Sequence, residues 1–354
     1  RTTTPPETFA VPAVDDRALG DASLLRRLGS SRATWIFGLD LVLVLIFAAV
    51  VGPAIFLSAA NAQSLALSGS QALILAIGLA MMLGGGAFDL SLGANLVLSS
   101  VVGAHVIRAS LGTPLEGGQY ENVGLAIALG VLACIGTGAV FGAVNGVLIA
   151  VFRLNSLIAT LGTLGSGTGL ALVLSGGGDI AGMPPALQLG FGLARPLGIP
   201  APAIVAVGLA LIFWAIVRYS RFGLRTLALG SSESAALRAG INVKRHMLWL
   251  AIIAGSLAGF AGFIDLAVFG STSINGHANA ALAAATAAVI GGTSIEGGRI
   301  SIIGAIWGAA LAVILQAGLV IAGVSSAYQL AAVGVVLLVA VGLDRFTTLR
   351  RRRG

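Results

Sequence analysis

RYSRFGLRTLALGSSESAALRAGINVKRH, residues 218–246, stands between two apolar runs, AIVAVGLALIFWAIV (203–217) and MLWLAIIAGSLAGFAGFIDLAVF (247–269). A membrane-crossing helix needs about 20 mainly apolar residues, so runs of this kind on both sides make the polar stretch a loop at a membrane surface. Its cations, Arg218, Arg221, Arg225, Arg238, Lys244 and Arg245, face the single acid Glu233. Such an excess of positive charge places a loop in the cytoplasm. Within the coupling loop, taken as 220–246, the core SSESAALRAG (231–240) is nearly uncharged. Ser231 or Ser232 can cap a short helix there, Glu233 suits its positive first turn, and Gly240 suits its end. Ala235, Ala236, Leu237 and Arg238 favour the helix between. A short helix with a small apolar face is suited to a groove on another protein, and an inert surface helix is the alternative. On the docking reading, Ala236→Arg uncouples the partner from transport while the chain still folds.

The whole chain is of the same character. It is 57% hydrophobic and 9% charged, with 51 glycines spread through apolar runs and without a period. Too little charge is present to cover a soluble surface, and small residues let membrane helices pack closely. The expected fold is an all-α polytopic membrane protein of about ten transmembrane helices, with spans near 35–58, 64–84, 88–108, 123–151, 156–176, 203–219, 247–269, 279–295, 300–322 and 327–344. The third and eighth are glycine-broken and polar, as interrupted or re-entrant helices are. With both termini in the cytoplasm, all Lys and Arg except Arg108 and Arg195 fall on that side. The net charge of +7 is thereby explained by topology, and no nucleic-acid partner is expected.

Outside the membrane body 35–344, residues 1–34 read as a cytoplasmic tail, largely disordered, in which DASLLRRLGS (21–30) can form a surface helix meeting membrane lipids. They hold no apolar core of a cleavable leader. Residues 345–354 form a basic cytoplasmic tail. The proline-rich stretch 176–202 is the longest external loop, either a receiving lip or a passive connector. Two turns resemble each other, LGGGAFDLSLGANLVLSS (83–100) and IGGTSIEGGRISIIGAIWG (290–308), and suggest an internal repeat.

No P-loop, GxSxG, HExxH or CxxC motif occurs, so no catalytic residue, metal site or bound cofactor is expected, and any ATP must be handled by another subunit. Gly85, Gly86 and Asp89 in one turn, and Gly291, Gly292, Glu296 and Arg299 in the other, read as loop-shaping residues whose carboxylates take up backbone N–H groups freed by broken helices or pair with arginine. Polar residues within spans, Asn145, Asn155, Thr160, Thr163 and Asp265, are candidates for a translocation pathway. Thr and Asn also bridge helices in lipid.

Taken together, GGAFDLSLG (85–93), AVNGVLIAVFRLNSLIATLGTL (143–164), GLALVLSGG (169–177), RFGLRTLALGSSESAALRAGINVKR (221–245), AAVIGGTSIEGGRISIIGA (287–305) and GVSSAYQ (323–329) resemble, in order and spacing, the permease of bacterial monosaccharide ABC importers of the ribose, xylose and galactose type. The resemblance runs from about Trp35 to Asp344. It implies the permease fold shared by ribose and branched-chain amino-acid importers, a bacterial inner-membrane location, and a second permease copy. It also implies a partner ABC ATPase carrying ATP and Mg, an extracytoplasmic sugar-binding protein, and a coupling helix at 231–240. Three departures stand out: an extra residue, Phe88, before Asp89; Asn155-Ser156-Leu157 in place of a Pro-Phe pair; and Ile300 where glycine is common. The alternatives are a branched-chain amino-acid permease and an ion-coupled secondary transporter. The second lacks the usual relay of buried acids.

Overall fold

The computed structural model describes residues 32–113, 120–274, 276–277, 280–325, 327–329, 331–332 and 334–335. The expected surface helix at 21–30, the tail 345–354 and most of the span 327–344 lie outside them. Along the described chain run α1 (Arg32–Val51), α2 (Ala59–Gly84), α3 (Leu92–Ser110), α4 (Val123–Ala150), α5 (Ser156–Ser175), α6 (Ala201–Tyr219), α7 (Arg221–Ser231), α8 (Glu233–Arg238), α9 (Val243–Phe269), α10 (Ala280–Ile290) and α11 (Ile302–Ile321). Among the described residues eight helices are long and apolar enough to cross a membrane: α1 to α6, α9 and α11.

Each of these eight falls on an expected span. The third begins at Leu92 rather than near 88, because the chain turns through Gly85 to Ser91 first. The eighth expected span is the short α10, 11 residues long, ended by the turn at Gly291 and Gly292. Only α10 is cut short as its glycines suggested; α3 is an unbroken helix of 19 residues that a glycine turn precedes. The bundle remains a membrane fold because the interrupted backbone is enclosed by other helices, the condition under which non-helical chain is tolerated at depth.

The core is built on α9, α3 and α2, which are mostly buried, whereas α4, α5 and α6 turn most of their surface outward. Leu132, Val140 and Val173 are exposed there, as a lipid-facing surface requires. The tightest seam joins α4 to α9. Gly138 and Gly255 meet backbone to backbone, so that a Cβ on either would fall on the carbonyl oxygen of the other. Lipid offers no hydrophobic drive for helices to associate, so close approach of small residues supplies the contact instead.

Asn95 of α3 closes this seam. Its Nδ2 donates to the carbonyl oxygens of Gly138 and Gly255, each at 3.3 Å, and its Oδ1 accepts from Ser99 Oγ at 3.1 Å. One buried amide thus ties three helices. Asn95→Ala is expected to lower stability by about 1 kcal/mol, the scale of interhelical hydrogen bonds in membranes, read as a lower melting temperature in detergent.

Candidate functional site

The ends of α2, α4, α6 and α10 and the starts of α3, α5, α9 and α11 gather at the end of the bundle that carries α7 and α8. Local sequence explains α7 and α8. Ser220 caps α7 by accepting from Gly223 N at 3.1 Å, and Ser232 caps α8 by accepting from Ala235 N at 3.3 Å. Gly240, at φ 77°, ends the α8 turn. Of the two serines that could cap, Ser232 does so; Ser231 is the last residue of α7 and bonds back to the Leu227 carbonyl.

One expectation is corrected here. Ala236 was placed on the docking face of this helix, but it is 2% exposed and turned into the protein, so Ala236→Arg would disrupt packing rather than test docking. Six residues complete fewer than two turns, and with alanine on most sides the sequence does not say which side faces inward. Leu237, 53% exposed, is the apolar side chain that α8 offers outward, with Glu233, Ala235 and Arg238 also exposed.

Residues 84–86, 230–231 and 297–298, far apart in sequence, meet at one joint. Gly298 N donates to Gly84 O at 3.0 Å, which links the turn after α2 to the turn before α11. Gly230, at the end of α7, lies against both: a Cβ there would fall on Gly84 O and Gly298 N. Thr226 of α7 shares a 2.8 Å hydrogen bond with His246 of α9, and Phe222 packs on the same imidazole with ring centroids 4.5 Å apart. The surface segment 221–246 is therefore held to α2, α9 and the turn before α11 at once. A cleft of about 960 Å³ opens beside it, lined by Gly85, Gly86, Arg153, Asn155, Ser231, Ser232, Glu233, Leu237, Gly240, Lys244 and Glu296.

The two similar turns share a local form. Each follows a helix with a glycine pair whose second member has positive φ, Gly86 at 86° and Gly292 at 99°. Asp89 is buried and accepts from Ser91 N at 2.8 Å and Ser91 Oγ at 2.6 Å, and Asn145 Nδ2 approaches its other oxygen at 3.4 Å. Arg299 Nε donates to Gly292 O at 2.9 Å and holds the second turn, and Gly291 packs backbone to backbone on Gly304 at the start of α11. Glu296 is exposed.

The departures from the family pattern fit one another. The extra residue Phe88 has a backbone N–H that donates to Ser156 Oγ at 3.1 Å, and Ser156 belongs to the second departure. Asn155 caps α5 by accepting from Leu157 N at 2.9 Å. Ile300 fills the space beside Gly84, where a Cβ would strike its side chain.

The pathway candidates separate. Asn145 bonds Ser91 Oγ at 2.7 Å next to Asp89; Thr160 accepts from Leu90 N at 3.3 Å and, like Thr163, donates to a carbonyl one turn back. Asn145 and Thr160 tie their helices to the turn before α3, Thr163 bonds only within α5, and Asn155 borders the cleft. Asp265 is different. Fully buried on α9 toward the opposite end, its Oδ1 accepts from Gln71 Nε2 at 3.2 Å and shares a 2.9 Å hydrogen bond with His277 Nε2, and its Oδ2 has no partner among the described residues. Gln71 and His277 line a cavity of about 370 Å³ together with Ser68, Gln316 and Gln329. These glutamines and His277 were missed from sequence, although Gln71 and Gln316 inside apolar helices were a readable signal.

At that opposite end the stretch 176–202 is folded onto α9 and the turn that follows it. Ile180 and Thr272 exchange hydrogen bonds of 2.7 and 3.0 Å, Asp179 accepts from Ile274 N at 2.8 Å, and Phe191 stacks on Phe263. Among the described residues no group of three or more His, Cys, Asp or Glu is placed to hold a metal ion.

Comparison with known proteins supplies the rest. Residues 61–341 match the family described as the branched-chain amino acid transport system / permease component. The chain is 37% identical to the ribose import permease protein of Bacillus subtilis over 309 residues, 87% of this chain and 91% of that protein. It is 33% identical to the D-allose transport system permease protein of Escherichia coli, covering 86% of this chain and 89% of that one. It is 29% identical to the galactose/methyl galactoside import permease protein of Haemophilus influenzae, covering 84% and 90%. No solved structure matches the chain. With its glycine turns, its jointed surface segment and these matches along most of its length, the chain belongs to the branched-chain amino acid transport system / permease component family.

Proposed function

We propose that the chain is the membrane permease of an ATP-driven importer in the bacterial inner membrane. It passes a monosaccharide or related polyol, delivered by an extracytoplasmic binding protein, and works as a pair of permease copies with cytoplasmic termini. A separate ABC ATPase holds ATP and Mg and docks at α8. The observation that carries this reading is the joint: an exposed short helix whose preceding residues are locked to the glycine turns at one end of the bundle. A partner pushing on α8 moves those turns, which is how a nucleotide state elsewhere biases two conformations of the permease. The ribose, allose and galactose named for the relatives support a sugar substrate over an amino acid. So does the 370 Å³ cavity, whose described lining is rich in neutral amides, Gln71, Gln316 and Gln329, suited to hydroxyl groups.

The test is reconstitution of the permease with its cognate ATPase and binding protein, with uptake of ribose, allose, galactose and leucine measured. ATP-dependent uptake of a sugar is expected. Leu237→Arg is expected to reduce it about tenfold, the equivalent of about 1.4 kcal/mol at a docking contact, with ATP hydrolysis retained and the melting temperature unchanged. Uptake by the permease alone, driven by an ion gradient, would sink the proposal.

A further inference from the structure

We propose that Gln71, His277, Gln316 and Gln329 form a hydroxyl-binding station inside the membrane for a neutral polyhydroxylated ligand, with Asp265 as its positioning residue. The inference rests on the sugar-importer reading and names where within the permease the sugar is received. The cavity lies between α2, α10 and α11. A second space of about 270 Å³ shares Ser68, Val313 and Gln316 with it and continues past Ser64 to Asn61 near the start of α2. A polar track thus runs from one end of α2 into its middle. The volume of about 370 Å³ is within the range of small-ligand pockets.

The chemistry of the lining is selective. The bond of Gln329 orients its amide, because a backbone carbonyl can only accept, and Gln71 is placed with its amide nitrogen toward Asp265. Gln71 Nε2 donates to the Asp265 carboxylate at 3.2 Å, and Gln329 Nε2 donates to Val324 O at 2.7 Å. Their Oε1 atoms remain as acceptors for ligand hydroxyls, while Gln316 has both a donor and an acceptor. Among the described lining residues only His277 is ionisable, and Ala72, Leu75, Ala283, Ala312 and Val313 supply apolar wall for the ring faces of a sugar. Polar side chains in a lipid-embedded core are costly and mark paths. Asp265 holds Gln71 and His277 from behind and is itself fully buried, so it fixes both side chains without lining the cavity.

The experiment uses the assembled transporter in proteoliposomes with saturating sugar-loaded binding protein, and reads sugar imported per ATP hydrolysed. Gln71→Ala and Gln316→Ala are each expected to lower that ratio about tenfold, the equivalent of one or two lost hydrogen bonds, with ATP hydrolysis within about twofold of wild type. Ala312→Phe, which fills the cavity, is expected to do the same. Asp265→Asn, which keeps an acceptor for Gln71, is expected to retain more import per ATP than Asp265→Ala. Wild-type ratios in Gln71→Ala and Gln316→Ala overturn the station, as does an equal fall in import and hydrolysis, which would mark a structural role. Failure of wild type to import any of the three sugars overturns the importer reading itself, a result distinct from the others.

Discussion

Gly255→Leu is expected to leave almost no folded protein in the membrane. At the α4–α9 seam the backbones of Gly138 and Gly255 touch, so any Cβ at 255 overlaps the Gly138 carbonyl and the larger leucine forces the helices apart. Overpacking a core costs about 1–3 kcal/mol where side chains can yield, and here the obstacle is backbone. Separation also breaks both Asn95 bonds to the seam carbonyls, leaving a buried amide unsatisfied at about 1–3 kcal/mol. Together these approach the whole stability of an ordinary domain, about 5–15 kcal/mol. Size-exclusion chromatography of the solubilised protein reads the outcome. Gly136→Leu is the control, since it lies on the same helix α4 but a Cβ there meets nothing within 4 Å. Equal yields of monodisperse protein from the two variants would show that the seam is not what holds the bundle.

The helices themselves were legible because each is long and apolar enough to be decided locally. The interruptions were legible as well, since Gly85-Gly86 and Gly291-Gly292 stop a helix wherever they occur. The cap of α8 followed from Ser232, Glu233 and Gly240 for the same local reason. What escaped depends on contacts between distant segments. Nothing in the vicinity of Gly230 shows that it will meet Gly84 and Gly298, and His277 lies in a polar turn with no sign that it reaches Asp265. Phe88 and Ser156 read as two unrelated oddities until the hydrogen bond between them joins them. The sequence period likewise failed at Ala236, because a six-residue helix is too short for a face to emerge.

The joint yields the second large effect. Gly230→Val is expected to abolish sugar uptake while the chain still folds. Its side chain would occupy the position of Gly84 O and Gly298 N and so break the 3.0 Å bond between the turns of α2 and α11. The lesion lies at one end of the bundle, away from the Asn95 seam, and the Thr226–His246 bond four residues earlier still fixes α7 to α9. The bundle therefore stays intact, and the melting temperature followed by the fluorescence of Trp35, Trp214, Trp249 and Trp307 should fall only slightly. The link from α8 to the turns, in contrast, is lost, because Ser231 and the cap Ser232 follow Gly230 directly and move with it. Import should drop at least about a hundredfold, the equivalent of about 3 kcal/mol of lost coupling, and ATP hydrolysis should cease to respond to sugar-loaded binding protein. Leu237→Arg differs in kind, since it weakens docking but leaves the joint whole, so supplying excess ATPase subunit should restore import to Leu237→Arg and not to Gly230→Val. Restoration of both by excess ATPase would mean that Gly230 serves docking alone, and that the motion reaches α2 and α11 by another route.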